Sequence, residues 1–173
     1  MKKIIQKRIL AFIIDYLVIA LYAGILFLLV YSAIKLFNLN TNVSSVIGQL
    51  IGMISLTLPV VLYFVIMENK SKQGTIGKNI KKIKVTDVNN QTASLKYIII
   101  RNIIKFMPWE IAHLGIHWTI YFSNEGIEQP VWIWLVLVIP QVTVVIYLLS
   151  IVIDKNNRGI YDRISHTKVI ELL

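Results

Sequence analysis

Arg8 and Asp15 lie at the start of a long apolar run, where a charged side chain is costly and therefore informative. Their spacing of seven residues puts both side chains on one face of an α-helix, two turns apart. A charge inside a bilayer costs at least about 2.5–3.5 kcal/mol, so Asp15 needs a cation, water or a proton. Two interpretations stay open: an ion or proton site, or a buried pair with Arg101 or Lys105.

The apolar stretch 97–122 carries a second polar set on one helical face, Glu110, His113 and His117. Glu-x-x-His is a metal-ligand spacing in helical bundles, and histidine is a zinc ligand. A metal site needs a third or fourth ligand, and only His166 and the aspartates remain, so we expect no metal and no cofactor. The open interpretations are a buried polar network or proton relay, and contacts at the membrane interface. The residues of such an ion, proton or polar network are Asp15, Arg101, Glu110, His113 and His117.

Other chemistry is poorly represented in the chain. There is no cysteine, which excludes disulfides, thiol catalysis and cysteine-ligated metals. There is also no nucleophile elbow, no phosphate-binding loop and no dinucleotide fingerprint. We therefore do not expect an enzyme, although a metal-dependent enzyme within the membrane stays a third alternative that metal analysis would decide.

The elements that position these residues are predicted to be membrane helices. Hydrophobic residues make up 56% of the chain and charged residues 16%, with a mean hydropathy of +0.68. Soluble domains average about 45–50% apolar and about 25% charged residues. We expect one domain over residues 1–173, an all-α four-helix transmembrane bundle. Its predicted spans are 9–31, 46–67, 97–122 and 131–153.

Small residues and prolines shape two of these spans. Ser44, Gly48, Gly52 and Ser55 share one face, on which another helix can approach closely. Pro59 is expected to kink the second span. Two interpretations of the third span stay open: a full crossing, or a helix that Pro108 breaks into an interfacial piece ending near Lys105 and a second piece beyond it.

The stretch 68–96 is strongly basic and lies between the second and third spans. Isoleucines at i, i+4 and i+7 from Ile76 predict a short amphipathic helix on the lipid headgroups. We predict that residues 83–86 pair with residues 168–172 as a small sheet, because both segments alternate apolar and polar residues. The residues expected to bind anionic headgroups are Lys78, Lys81, Lys82 and Lys84.

Basic residues also predict the orientation of the chain. If 97–122 crosses the membrane, seventeen of the eighteen lysines and arginines fall on or near one side, and only Lys35 falls on the other. The positive-inside rule makes that side cytoplasmic, with both termini on it. The same distribution argues against nucleic-acid binding, because it forms no basic stripe on a soluble fold.

Together these pieces resemble the RDD family, small bacterial integral membrane proteins named for one arginine and two aspartates. The resemblance implies Arg8, Asp15 and Asp162 as the signature residues, and a role in transport, including cation/proton exchange. The polar stretch 108–117 departs from the family pattern. The residues that carry the resemblance are Arg8-x-x-Ala11-x-x-Ile14-Asp15, Thr75-Ile76-Gly77-Lys78, Ile83-Lys84-Val85, Leu95 to Arg101-Asn102, and Arg158-Gly159-Ile160-Tyr161-Asp162-Arg163 with Thr167 and Val169.

The resulting hypothesis is a small transporter, with Asp15 and the face around Glu110 as its polar interior. Four helices enclose only a narrow path, so we expect a homo-oligomer. The alternative is a non-catalytic accessory or immunity protein that binds a partner. Asp162 is expected to lie in a solvated tail, where it caps a short helix or bonds backbone amides.

Overall fold

The computed structural model describes residues 3–39, 43–69 and 74–172. Lys2, Lys70 and Lys72, which contribute to the predicted orientation, lie outside the described residues. The elements in chain order are α1 (Lys3–Phe37), α2 (Ser45–Gly52), a π-helical turn (Met53–Thr57) that leads into α3 (Leu58–Asn69), α4 (Ile76–Ile80), β1 (Ile83–Asp87), α5 (Leu95–Glu125), α6 (Val131–Ile153), α7 (Ile160–Ile164) and β2 (Thr167–Glu171).

Three of the described helices are long and apolar enough to cross a membrane: α1, the continuous helix Ser45–Asn69, and α6. Their outward side chains are large and apolar, and Leu21, Phe27 and Val131 are 67%, 68% and 75% exposed. Such continuous apolar surface suits lipid and not water. The prediction of a membrane protein is confirmed, while the count of four spans is not decided by length and composition.

The interpretation in which Pro108 breaks the third span is wrong, because α5 runs without interruption from Leu95 to Glu125 with Pro108 inside it. Proline has no N–H to donate to the carbonyl one turn earlier, which here belongs to Ile104. The hydroxyl of Tyr147 on α6 donates to that carbonyl at 3.1 Å. A neighbouring helix thus supplies the missing donor, which membrane helices require in order to tolerate proline.

Pro59 has the same arrangement in the helix Ser45–Asn69. Because Pro59 has no N–H, the carbonyl of Ser55 four residues earlier lacks its usual helical donor. Ser55 itself lies within the π-helical turn Met53–Thr57. The hydroxyl of Tyr22 on α1 donates to the Ser55 carbonyl at 2.6 Å. Tyr22 therefore joins α1 to the second long helix at its irregular point.

The small-residue face of α2 packs against α5. A Cβ on Gly48 would come within 2.9 Å of the His117 ring, and one on Gly52 within 3.3 Å. The two glycines therefore leave room for an imidazole, and the predicted close approach involves a side chain of α5. On its opposite side α5 packs against α6, where Gly115 accommodates Leu137.

The predicted small sheet is confirmed. Strands β1 and β2 pair antiparallel, with Val85 opposite Val169. Both valines pack with Ile83 and with Ala11 of α1 in one apolar cluster. The sheet is thus fixed to the beginning of α1, and the ion pair between Lys7 and Glu171 at 2.7 Å adds a second link there.

Candidate functional site

Six buried charged side chains of alternating sign form a ring at one end of the helices, in which five ion pairs join the members in series and α1, which carries both end members, completes the circuit. Each has less than a tenth of its surface exposed. The ring begins and ends on α1, because Arg8 and Asp15 share one face of that helix. Its members in order are Arg8, Asp162, Arg101, Glu68, Lys78 and Asp15.

Asp162 is the member that links the C-terminal segment to the helices. Its carboxylate accepts from Arg8 at 2.6 Å and from Arg101 at 2.9 Å. It also accepts from the backbone N–H of Gly159 at 2.9 Å, within the first turn of α7. The bond to a backbone amide confirms one part of the expected role.

The expected solvated position of Asp162 is wrong, because the side chain is fully buried. Burial by itself raises the pKa of the Asp162 carboxyl, but the charges of Arg8 and Arg101 and the hydrogen bond from Gly159 lower it more. The net pKa lies below its ordinary value, so Asp162 is ionised at neutral pH. It is a buried anion and not a surface cap.

Glu68, at the end of α3, was missed from the sequence. It accepts from Arg101 at 2.7 Å, from Lys78 at 2.8 Å and from the amide of Asn102 at 2.9 Å. The available signal was its place at the end of an apolar span, where an acidic side chain faces a strongly basic stretch. Glu68 is also the first residue of the hydrophilic stretch 68–96, and as part of a loop its carboxylate would be expected in solvent.

Asp15 does not pair with Arg101 or Lys105, as one interpretation expected. It accepts from the hydroxyl of Thr75 at 2.6 Å and from the backbone N–H of Gly77 at 2.8 Å. The nearest cation is Lys78, at 3.9 Å. Arg101 is held instead by Glu68 and Asp162, which lie on either side of it.

Gly77 explains why α4 can reach Asp15. A Cβ at this position would overlap the carbonyl of Ala11, so α4 lies directly on the backbone of α1. Thr75 caps the short helix, with its hydroxyl accepting from the backbone N–H of Lys78. The Thr75 to Lys78 motif therefore presents a hydroxyl, an amide and an ammonium group to two carboxylates.

Lys78 is not available to lipid headgroups, contrary to expectation, since it is 7% exposed and bound within the ring. The other three predicted headgroup ligands, Lys81, Lys82 and Lys84, are half-buried, exposed and half-buried respectively. Their binding to anionic lipids stays a prediction. Gly77 and Lys78 are buried because α4 packs against α1, which periodicity alone does not predict.

Glu110 is the centre of a second, separate cluster in the middle of α5. Gln49 and Thr57 donate to its carboxylate at 2.5 Å and 2.6 Å. His113 lies on the same face, with its Nδ1 3.7 Å from the carboxylate. His117 sits apart, against the glycines of α2.

These contacts divide the predicted network in two. Asp15 and Arg101 belong to the ring, while Glu110 and His113 belong to the cluster on α5. Among residues 3–39, 43–69 and 74–172, no three histidine or carboxylate side chains converge as metal ligands would. The metal interpretation of Glu110, His113 and His117 therefore has no geometric support in the described part of the chain.

A cavity of about 720 Å³ lies beside the ring, between α1, α5 and α6. Side chains of the ring form one end, and apolar side chains form the rest. Lys105 also lines it, with its Nζ 3.8 Å from the centre of the Phe64 ring and 4.9 Å from that of Phe106. Trp109 extends the wall towards His113, whose ring it contacts.

Comparison with known proteins gives one match. A model of the RDD family matches residues 4–166, which is nearly the whole chain. No curated protein and no solved structure matches it. The matched range contains every member of the ring and of the cluster on α5.

Proposed function

Because this chain belongs to the RDD family, we propose that it crosses the membrane four times and transports a small solute, or exchanges a cation for protons, through its polar interior. The ring supports the fourth crossing, which is α5. Arg8 lies near the start of α1 and Arg101 near the start of α5, whereas Glu68 ends α3 and Asp162 follows α6. The chain therefore leaves the ring twice and returns to it twice, which supports four passages in place of three.

The proposed orientation places the ring and both termini in the cytoplasm. The lysines and arginines of the sequence support it, because they lie mostly on one side of the predicted spans and the positive-inside rule makes that side cytoplasmic. We include a homo-oligomer in the proposal, since four helices alone leave little room for a solute. A bacterial cytoplasmic membrane is the location that this family and charge pattern favour.

Glu110 is the observation that carries the exchange proposal. It lies midway between Leu95 and Glu125, the ends of α5, and so falls near the centre of a helix that is long enough to span. An ionisable side chain at that depth is costly, and such residues commonly mark ion or proton paths. With His113 beside it, the site holds two groups that bind and release protons.

Asp15 is a poorer proton carrier than Glu110, because it is bound within the ring. Its carboxylate already accepts from Thr75 and Gly77 and lies near Lys78. A carrier must lose and regain its partners in each cycle, and breaking these contacts would release α4 from α1. We therefore assign Asp15 to anchoring and Glu110 with His113 to proton exchange.

The proposal is tested by proton flux in proteoliposomes that contain equal amounts of wild type, Glu110→Gln and Glu125→Gln. Glutamine keeps the shape of Glu110 but cannot exchange a proton, so we expect the flux to fall to the level of empty liposomes. Glu125 is exposed at the end of α5, and its variant should match wild type. Full flux in Glu110→Gln would refute the assignment.

The alternative, an accessory or immunity protein that binds a partner, rests on the closure of the ring. All six charges have partners, and together they hold the segments at this end of the helices in one surface. A protein of this kind would show no flux with any variant. Its biological activity would then depend on exposed residues of that surface and not on Glu110.

A further inference from the structure

Lys105 is a half-buried lysine beside the ring that belongs to none of the ring's ion pairs. The ring pairs three cations with three anions, whereas Lys105 has no hydrogen bond or ion pair to a carboxylate among the residues that the structure describes. Its Nζ instead contacts the faces of Phe64 and Phe106. Arg101 and Lys78, which lie nearby, are both engaged by Glu68.

The cavity that Lys105 lines is apolar away from the ring and open towards the lipid. Phe12 and Tyr16 of α1 form one wall, and Val144 and Leu148 of α6 form the facing wall. These four side chains are between 41% and 50% exposed, although they line a cavity. The space between α1 and α6 is therefore reached from the side of the helices, where the hydrocarbon of a membrane would lie.

We propose that this cavity binds an anionic lipid of the surrounding membrane. The acidic headgroup pairs with Lys105, and one acyl chain lies between α1 and α6. A lysine that makes no ion pair among the described residues lies at one end, and hydrocarbon walls form the other, which matches the two parts of such a molecule. Basic pockets between helices on the cytoplasmic side commonly take acidic headgroups, and about 720 Å³ is within the usual range of about 300–1,000 Å³ for small-molecule sites.

The depth of Lys105 agrees with this assignment. It lies one turn beyond Arg101 on α5, so the headgroup would sit next to the ring and not at the centre of the bilayer. A phospholipid acid group can reach that level from the cytoplasmic leaflet. The site is separate from the exposed lysines of the 68–96 stretch, which attract anionic lipids without shape selection.

The direct test is native mass spectrometry of the purified protein with phosphatidylglycerol, and with phosphatidylcholine of the same acyl chains. We expect one retained phosphatidylglycerol per chain and a preference over phosphatidylcholine of about fivefold, the effect of one lysine near a membrane surface. Inorganic phosphate at the same concentration should not displace the lipid. Equal retention of both lipids would overturn the proposal, and displacement by phosphate would reduce it to an ion site.

Two variants locate the lipid. Lys105→Met removes the charge and keeps the length, so the preference for phosphatidylglycerol should disappear. Val144→Trp fills the apolar part from an exposed position and should prevent retention of either lipid. The matched control is Lys96→Met, an exposed lysine on the same helix, which should keep the wild-type preference.

If Lys105→Met still prefers phosphatidylglycerol to phosphatidylcholine, the assigned site is wrong. The site is also wrong if Lys96→Met loses this preference as completely as Lys105→Met does. Lys105→Met is expected to fold, because Lys105 makes no ion pair within residues 3–39, 43–69 and 74–172 and methionine keeps the apolar contact with Phe64 and Phe106. Should it not fold, Val144→Trp decides the question alone. The readout is bound lipid, so the result does not depend on whether the protein moves protons.

Discussion

Asp162 shows how strongly one buried carboxylate can govern this structure. It lies between Arg8 and Arg101, and its neutralisation would leave two buried guanidinium groups without their shared anion. Removing one partner of a buried ion pair costs about 3–5 kcal/mol. We therefore expect Asp162→Asn to lower the free energy of unfolding by roughly that amount, measured by denaturant unfolding in detergent micelles.

Asp154→Asn is the matched control for this prediction. Asp154 is buried, but its partner Arg163 is half exposed, and pairs that reach solvent contribute roughly 0–1 kcal/mol. The oxygen of an asparagine can still accept from the backbone N–H groups of Asn156 and Arg158, which Asp154 now binds. A small effect at Asp154 and a large effect at Asp162 would support the ring. Equal small effects would show that the ring contributes little to stability.

The same residue predicts a pH dependence. The folded pKa of Asp162 lies below its ordinary value of 3.8, so the unfolded chain binds this proton at a higher pH than the folded chain. Its stabilising contribution is complete above the unfolded pKa and is lost as pH falls through the folded pKa. Melting temperature should therefore be steady from neutral pH to about pH 5 and drop below it, with a smaller drop in Asp162→Asn.

At the level of single residues, the sequence identified Arg8 and Asp15 because charges in apolar runs are conspicuous. The interpretation that paired Asp15 with Arg101 or Lys105 is wrong, since the hydroxyl that Asp15 binds comes from a segment about sixty residues away. Helical periodicity cannot predict which distant segment folds back onto a helix. Glu68 and Lys78 were misjudged for the same reason.

The contact between α4 and α1 sets the position of the Thr75 to Lys78 motif. Gly77→Ala would place a methyl group against the carbonyl of Ala11 and separate the two helices. We expect a clear loss of stability, while Gly24→Ala on α1, where nothing lies within 4 Å, should be neutral or slightly stabilising. The melting temperatures of the two purified variants test this, and equal values would contradict the close packing.

Tyrosines on α1 and α6 complete the two proline-containing helices. Tyr147→Phe would leave the Ile104 carbonyl without its donor, and an unsatisfied buried group costs about 1–3 kcal/mol. Tyr31→Phe serves as a control, because the Tyr31 side chain is exposed on α1. If both variants unfold at the same denaturant concentration, the hydroxyl of Tyr147 does not support α5.

At the level of elements, the small sheet followed from alternation, and three apolar helices followed from hydropathy. The continuity of α5 did not follow, because the donor that satisfies Ile104 lies on another helix. A sequence shows the donor that proline lacks, but it does not show which neighbour replaces it.

The whole molecule combines a ring of buried ion pairs at one end of the helices with the cluster around Glu110 near their middle, to which we assign proton exchange. The ring joins α1, α3, α4, α5 and α7, and hence the two ends of the chain. Tags at both termini should accordingly be accessible from the same side of the membrane, and a tag near Glu125 from the opposite side. Accessibility in inside-out vesicles measures this, and termini on opposite sides would exclude four crossings.

The central claim is that the two clusters have different tasks. It is tested most directly by measuring proton flux per folded molecule and melting temperature together, for Asp15→Asn and Glu110→Gln in the same liposomes. The account predicts that Asp15→Asn lowers the melting temperature while its remaining folded molecules conduct normally, and that Glu110→Gln abolishes flux at an almost unchanged melting temperature. The opposite pattern, with flux lost in a stable Asp15→Asn protein and retained in Glu110→Gln, would contradict it.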